Sequence, residues 1–175
     1  MRQKYLKAET HLKRTVVETP DAAADLYYLN ADMQLVHMFL TIDRYARHPS
    51  RIKDDLGIST ADFDIILTEL LKRGFIERSE GRFIIKRFAV HLSPDSPLYR
   101  PHFAILRQRC AHQLQRLPRE QAYGFSATFS ATEEVRREVH RRFLEMLREV
   151  EPDIRDAACE GVYQMEFSLF PWTYT

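Results

Sequence analysis

The sequence is poor in glycine and cysteine and contains no long apolar run. Only 5 of its 175 residues are glycine, and its two cysteines, Cys110 and Cys159, lie far apart without Cys or His neighbours at metal-ligand spacing. We expect free thiols in a reducing compartment. No segment reaches the roughly 20 apolar residues that span a bilayer, and the polar start lacks the apolar core of a secretory signal. The sequence therefore predicts a cytoplasmic protein without a membrane partner.

An excess of one charge and the common catalytic motifs are also missing. The formal net charge is +1, with 15 Lys and Arg against 13 Asp and Glu up to His91, and 11 against 12 beyond it. This balance excludes indiscriminate binding to polyanions, so contact with DNA would need a local basic patch. A Gly-rich phosphate loop, a nucleophile elbow and a His-Glu-x-x-His motif are absent. We expect neither an enzyme nor a cofactor or metal site.

The stretch from Ser50 to Gly74 carries the pattern of two consecutive helices. Residues 51–56 form a short amphipathic helix that Gly57 ends, and Ser59 caps the second helix. Apolar residues of the second helix recur at helical spacing, namely Phe63, Ile66, Leu67, Leu70 and Leu71. This spacing predicts a helix-turn-helix.

A predicted hairpin follows these helices. Residues 75–78 and 82–87 flank a polar turn that contains Gly81, where positive φ costs little, so the two runs are predicted to pair. An apolar stripe from about Ala31 to Ala46 predicts one long helix ahead of them. This order is typical of a winged helix, a fold that places its second helix in a DNA major groove or serves as a scaffold for protein contacts.

Beyond this hairpin the pattern alternates between helices and strands. Residues 98–117 predict a helix, and residues 123–130 and 162–170 alternate apolar and polar side chains with the period of a strand. Between these two runs lies a predicted helix that stops near Pro152. With residues 83–92 continuing from the hairpin, the order is strand, helix, strand, helix, strand.

These patterns predict an α+β fold class with three parts. Residues 1–19 form a basic N-terminal arm or helix, and residues 20–92 form a winged-helix unit. Residues 93–175 form a C-terminal α/β unit suited to sensing an effector or to dimerisation.

Three runs in the C-terminal part are distinctive: Leu98-Tyr-Arg-Pro-His102, Phe125-Ser-Ala-Thr-Phe129 followed by Thr132-Glu-Glu, and Val162-Tyr-Gln-Met-Glu-Phe-Ser-Leu-Phe-Pro171. In this order they resemble the bacterial family called domain of unknown function 4423, and the resemblance extends from about Tyr5 to the end. It implies a winged-helix unit, a small α/β unit and a role in transcriptional control, without known catalytic residues, ligand or target. Members usually carry a separate upstream helix-turn-helix domain, so the sequence is either a piece of a longer protein or a shorter relative.

DNA binding would depend on the helix-turn-helix and the wing. The predicted contacts are Arg51, Lys53, Ser59, Thr60, Lys72, Arg82, Lys86 and Arg87. Against them, the outward face of the second helix carries Asp62 and Asp64 in its first turns, where they would repel phosphate. Two interpretations stay open: a transcriptional regulator that binds double-stranded DNA, and a protein-interaction or dimerisation module without DNA affinity.

A second candidate site involves His102, Ser126 and Gln164. The family resemblance places His102 opposite Ser126, where the pair could begin a nucleophilic site, or where His102 could be a structural histidine bonded to a hydroxyl. Ser126 and Gln164 lie on the polar sides of the two predicted strands. Those polar sides could bind a small polar effector or a second subunit, or simply contact water.

The sequence also predicts a homodimer. Leu26-Tyr-Tyr-Leu29 crowds apolar surface onto a short helix, and a winged-helix regulator uses two copies to bind a two-fold operator. Tyr27 and Tyr28 are the predicted anchors of this interface. The alternative is that both rings pack back onto the helix that follows them.

Overall fold

The computed structural model describes residues 22–87 and 92–173. In these ranges the elements are α1 (Ala22–Leu29), α2 (Ala31–Phe39), α3 (Asp43–Arg47), α4 (Ser50–Leu56), α5 (Thr60–Lys72), β1 (Ile76–Ser79), β2 (Arg82–Ile85), α6 (Tyr99–Arg116), the 3-10 helix Arg119–Gln121 and α7 (Glu133–Asp156). The described chain is mostly helical with one two-stranded antiparallel sheet, a broadly α+β architecture. None of the helices in those ranges is long and apolar enough to cross a membrane. The predicted N-terminal arm, residues 1–19, lies outside them.

The described residues form two compact units. The core unit comprises residues 22–87, 92–115 and 158–162, and the α7 unit comprises residues 116–157 and 163–173. Helix α6 begins beyond the predicted boundary at residue 92, and its buried residues His102 and Leu106 lie in the core unit.

Local signals determine where α4 and α5 begin and end. Gly57 adopts the left-handed conformation, with φ 66° and ψ 37°, which ends α4 and lets the Ile58 N–H bond to the Lys53 carbonyl at 3.0 Å. The Ser59 side chain accepts from the Asp62 N–H at 3.0 Å and so caps α5. Both helices bury most of their predicted apolar faces, at Ile52, Leu56, Phe63, Ile66 and Leu70. The prediction is wrong for Leu71, which is 39% exposed, and Leu67 is half-buried.

The hairpin forms as predicted, in a single register. Ile76 pairs with Ile85 at one end and Ser79 with Arg82 at the other. Both residues of the intervening turn, Glu80 and Gly81, have positive φ, at 48° and 77°. Such a turn matches the twist of the flanking strands, so β1 and β2 pair without splaying.

The prediction of one long helix from about Ala31 to Ala46 is wrong, because the helix is interrupted between α2 and α3. The break lies at Leu40, Thr41 and Ile42, where the amides of Thr41 and Ile42 bond to carbonyls three residues back. The Thr41 hydroxyl also donates to the Met38 carbonyl at 2.7 Å. Ile42 then turns to an extended conformation with ψ 122° and is buried in the core.

Tyr27 and Tyr28 lie inside the core unit rather than on its surface. They are 4% and 3% exposed, and the Tyr27 ring stacks on Phe75 with centroids 4.6 Å apart. The packing of both rings within the chain corrects the premise that α1 presents them to a partner. Leu26 and Leu29 are the residues of that run that stay exposed, at 38% and 40%.

The predicted strands at residues 123–130 and 162–170 are not strands in this structure. Among the described residues only β1 and β2 form a ladder, and a strand requires such a hydrogen-bonded neighbour. Residues 88–91, the predicted continuation of β2, lie outside the described part. The predicted helix between the two runs is present as α7, capped by Thr132, but it continues past Pro152 to Asp156.

Candidate functional site

The residues predicted to contact DNA on and around α4 and α5 differ in their exposure and in whether they are already paired. Arg51 and Thr60 are exposed, whereas Lys53 is half-buried with its Nζ 3.0 Å from Oδ1 of Asp54. The Ser59 hydroxyl accepts from the Asp62 amide and donates to its carboxylate at 2.6 Å. Ser59 therefore acts in the structure as the cap of α5.

Arg51 also borders a shallow depression of the core unit. The other lining residues are Arg44, Tyr45, Asp54 and Asp55. The Tyr45 hydroxyl donates to the Asp55 carboxylate, and Arg44 donates to the Glu160 carbonyl at 2.9 Å. Two cations thus face two carboxylates, so the depression has no excess of either charge.

The outward face of α5 is acidic where it begins and apolar further along. Asp62 and Asp64 are exposed in the first turns, and Ile65 is 60% exposed. At the other end of α5 Lys72 is 75% exposed, and its ion pair with Glu69 is long, with the Nζ 3.8 Å from the carboxylate. This face would repel phosphate along its first turns.

The hairpin carries four exposed cations, two of which are paired with carboxylates. Arg82 lies 3.3 Å from Asp43, and Lys86 lies 3.1 Å from Glu77. All four side chains in these pairs are roughly half exposed, and such surface ion pairs contribute only about 0–1 kcal/mol. A phosphate could therefore replace either carboxylate at little cost.

The remaining hairpin cations rest on aromatic rings. The Arg87 guanidinium lies 5.4 Å from the centre of the Phe75 ring, and that of Arg78 lies 6.0 Å from the Phe83 ring. Both arginines are exposed, so their stems cover apolar surface while the charged ends contact solvent.

Asp43 is held ionised beside this hairpin. Its pKa is lowered chiefly by the hydrogen bond from Arg47 at 2.8 Å, and the nearby Arg82 lowers it further. Because Asp43 already has Arg47 as a partner, Arg82 can leave it for another anion without stranding the carboxylate.

Arg109, for which no sequence pattern predicts a role, links α6 to two other helices. Its Nε lies 2.7 Å from the Asp32 carboxylate in the first turn of α2, and its Nη2 donates to the Leu56 carbonyl at the end of α4 at 2.8 Å. Arg109 thereby fixes α6 against the helix-turn-helix. These partners are 77 and 53 residues away in sequence, so no local pattern could have indicated them.

His102 has a structural environment inside the core unit. It is 8% exposed, its ring meets that of Tyr28 edge-on, and its Nδ1 is 2.9 Å from the Tyr28 carbonyl. Because a carbonyl oxygen only accepts, Nδ1 carries the proton. This hydrogen bond joins α6 to the end of α1.

We predict that His102→Gln lowers the free energy of unfolding by about 1 kcal/mol, since the variant cannot keep both the buried hydrogen bond and the ring packing. Urea unfolding followed by circular dichroism measures this. His112→Gln, an exposed histidine on the same helix, is the matched control and should leave stability unchanged. Equal stability of the two variants would contradict a structural role for His102.

Ser126 and Gln164 lie in the α7 unit, whereas His102 belongs to the core unit. Ser126 and Gln164 are exposed, and Gln164 donates to the neighbouring Met165 carbonyl at 3.3 Å. The described residues contain no group of three or more side chains that could hold a metal ion.

The described chain is thus broadly α+β, with the consecutive helices α4 and α5 followed by a basic hairpin. The chain belongs to the family named domain of unknown function (DUF4423), whose family model matches residues 9–172. No curated protein and no solved structure matches it. The family name assigns no activity, ligand or partner.

Proposed function

We propose that this chain is a winged-helix transcriptional regulator that binds double-stranded DNA as a homodimer. One observation carries the proposal: an exposed basic hairpin directly follows a helix-turn-helix. Its four cations, Arg78, Arg82, Lys86 and Arg87, are exposed. Positive side chains on a wing beside such helices are suited to contact phosphates.

In this proposal the wing supplies most of the affinity and α5 supplies little. Arg82 and Lys86 exchange weak surface ion pairs for phosphate contacts, and Arg51 and Lys72 add cations at the two ends of the helix pair. The acidic first turn of α5 limits its insertion into a groove, so most contacts are to the backbone and carry no sequence information. The exposed Ser126 and Gln164 are the groups offered to a small polar effector. Neither catalysis nor a cofactor is part of the proposal.

The test is a salt titration of DNA binding, read by fluorescence anisotropy with a mixed-sequence duplex. Replacing Arg82, Lys86 and Arg87 by Ala should weaken binding to all duplexes alike. It should also flatten the dependence of log affinity on log salt by about 0.9 for each phosphate that the variant no longer neutralises. A variant with the same change in charge, Arg100, Arg119 and Arg142 to Ala, is the control and should bind as the unmodified chain does.

Absence of binding by the unmodified chain at low salt would overturn the DNA proposal. That result would favour a protein-interaction module without DNA affinity. The specific observation in favour of this second candidate is that α5 exposes the apolar Ile65 and Leu71 as well as Asp62 and Asp64. Such a mixture suits a protein partner better than a phosphate backbone.

A further inference from the structure

Helix α7 presents an apolar stripe that its own unit leaves largely uncovered. None of its 24 residues is buried. The stripe consists of Val135, Val139, Phe143, Met146, Leu147, Val150 and Ile154. Within the unit, Phe167 stacks on Phe143 with centroids 3.8 Å apart, but Val135, Met146 and Ile154 stay 47%, 39% and 46% exposed. Amphipathic helices are stabilised by burying such a stripe, and the described residues of the α7 unit leave much of it exposed.

The stripe is symmetrical about its own midpoint, between Leu144 and Glu145. Six of its seven members form three pairs equidistant from that point: Val135 with Ile154, Val139 with Val150, and Phe143 with Met146. A two-fold axis through the midpoint brings each residue level with its mate on a second, antiparallel copy of the helix. Six of the seven stripe residues then stand level with another apolar residue, and Leu147 stands level with Arg142.

The charges on α7 have the matching asymmetry. Residues 133–144 contain four arginines and three glutamates, whereas residues 145–156 contain two arginines and five acidic residues. Antiparallel pairing places the positive half of each helix beside the negative half of the other. Parallel pairing would place the two acidic halves together, which is unfavourable.

The rest of the α7 unit also exposes more apolar surface than a monomer normally does. Its exposed large side chains outside α7 are Tyr123, Phe125, Phe129, Tyr163, Met165, Phe167, Phe170 and Trp172. Contiguous apolar surface generally marks an interface, and these residues come from only two short segments, three from the first and five from the second. Helix α7 alone is about 36 Å long, so flanking aromatic surface extends an interface that the helix pair begins.

We propose that the stripe of α7 is the dimer interface of this chain, occupied by α7 of a second copy in antiparallel orientation. This proposal specifies the homodimer of the proposed regulator, but it does not require DNA binding. It replaces α1, whose tyrosines are buried, as the surface through which two copies associate.

Light scattering coupled to gel filtration tests the surface. We expect the unmodified chain to be dimeric in the micromolar range and Val135→Glu with Ile154→Glu to weaken the dimer about 100-fold or more, because two carboxylates per copy become buried unpaired. Both positions are half exposed in the single chain, so the fold tolerates the change. Leu114→Glu, on α6 at 49% exposure, is the control and should leave the dimer intact.

Cysteine cross-linking tests the orientation. In a Cys159→Ser background, Val135→Cys chains mixed with Ile154→Cys chains should form a disulfide-linked dimer on oxidation. Each variant alone should not, because identical positions lie about 28 Å apart in an antiparallel pair. Cys110 is present in every sample, so any disulfide formed through it appears in all of them alike and serves as the internal control.

A monomer across the micromolar range, a dimer unaffected by the double Glu change, or cross-linking of Val135→Cys with itself would each overturn the proposal. DNA binding separates this failure from that of the proposed function. A dimer without DNA affinity would contradict the regulator alone, and a monomer that binds DNA would contradict the α7 interface alone.

Discussion

Leu70→Ala is expected to lower the free energy of unfolding by about 3 kcal/mol, within the range of about 2–5 kcal/mol for emptying a buried Leu site. Leu70 is fully buried on α5, the helix that carries the predicted winged-helix core. Just beyond it the chain turns sharply, and the Phe75 amide bonds to the Leu70 carbonyl at 3.0 Å. Since domains are stable by only about 5–15 kcal/mol, this decrease is a large fraction of the total.

Leu71→Ala is the matched control, because Leu71 is the next residue of the same helix and is 39% exposed. Its effect on stability should stay below about 1 kcal/mol. Urea unfolding measured by circular dichroism gives both values. Equal decreases in the two variants would mean that α5 presents a different face to the core.

The helix-turn-helix and hairpin could be predicted because their signals are local and agree with one another. Gly57 and Ser59 mark one boundary, and the spacing of apolar residues on α5 marks the buried face. Gly81 sits at the positive φ that its turn requires. Where a cap, a period and a turn residue indicate the same structure within a few residues, distant contacts are not needed to decide it.

The break after α2 and the burial of the tyrosines could not be predicted in this way. The stripe from Ala31 to Ala46 has helical spacing throughout, and only the packing of Ile42 in the core requires the turn. Tyr27 is buried because Phe75 and His37, 48 and 10 residues further on, provide a stacking surface and a hydrogen-bond partner. Such contacts depend on the assembled fold.

The two alternating runs show the limit of periodicity as a signal. Residues 123–130 and 162–170 have the side-chain pattern of strands. A strand forms only beside a hydrogen-bonded partner strand, and the pattern does not show which segment that partner is. In the part of the chain that the structure describes neither run has a hydrogen-bonded neighbour, and the rings of Tyr123 and Tyr163 are 87% and 93% accessible. The pattern correctly indicated apolar surface and wrongly indicated how it is covered.

The candidate site was predictable as a set of cations but not as a set of ion pairs. Arg82 and Lys86 follow from charge on a predicted wing, whereas the pairing of Arg82 with Asp43 joins residues 39 apart. The acidic start of α5 was visible in the sequence and is exposed in the structure. It remains the strongest argument for the second candidate function.

His37 is expected to make the core unit lose stability as the pH falls from about 6.5 to about 4. The residue is fully buried on α2, with its Nδ1 2.9 Å from the Tyr27 hydroxyl. Burial lowers its pKa from 6.5 to about 4, although the nearby Phe75 backbone acts in the opposite direction. In this window the unfolded chain binds a proton that the folded chain does not, so protonation favours unfolding.

The lowered pKa of His37 corresponds to about 3 kcal/mol of stability. This contribution is fully present above the pKa of the unfolded chain and is lost by about pH 4. Urea unfolding at pH 7 and near pH 4.5 measures it, and His37→Gln should flatten the difference because glutamine does not titrate. His48→Gln, an exposed histidine, is the control and should retain the full slope. Glu133 and Glu138 of α7, whose pKa values hydrogen bonds from arginines lower to about 2, lose their contribution only below the ordinary carboxylate pKa. A slope between pH 7 and 4.5 that survives in His37→Gln would therefore show that another group carries it.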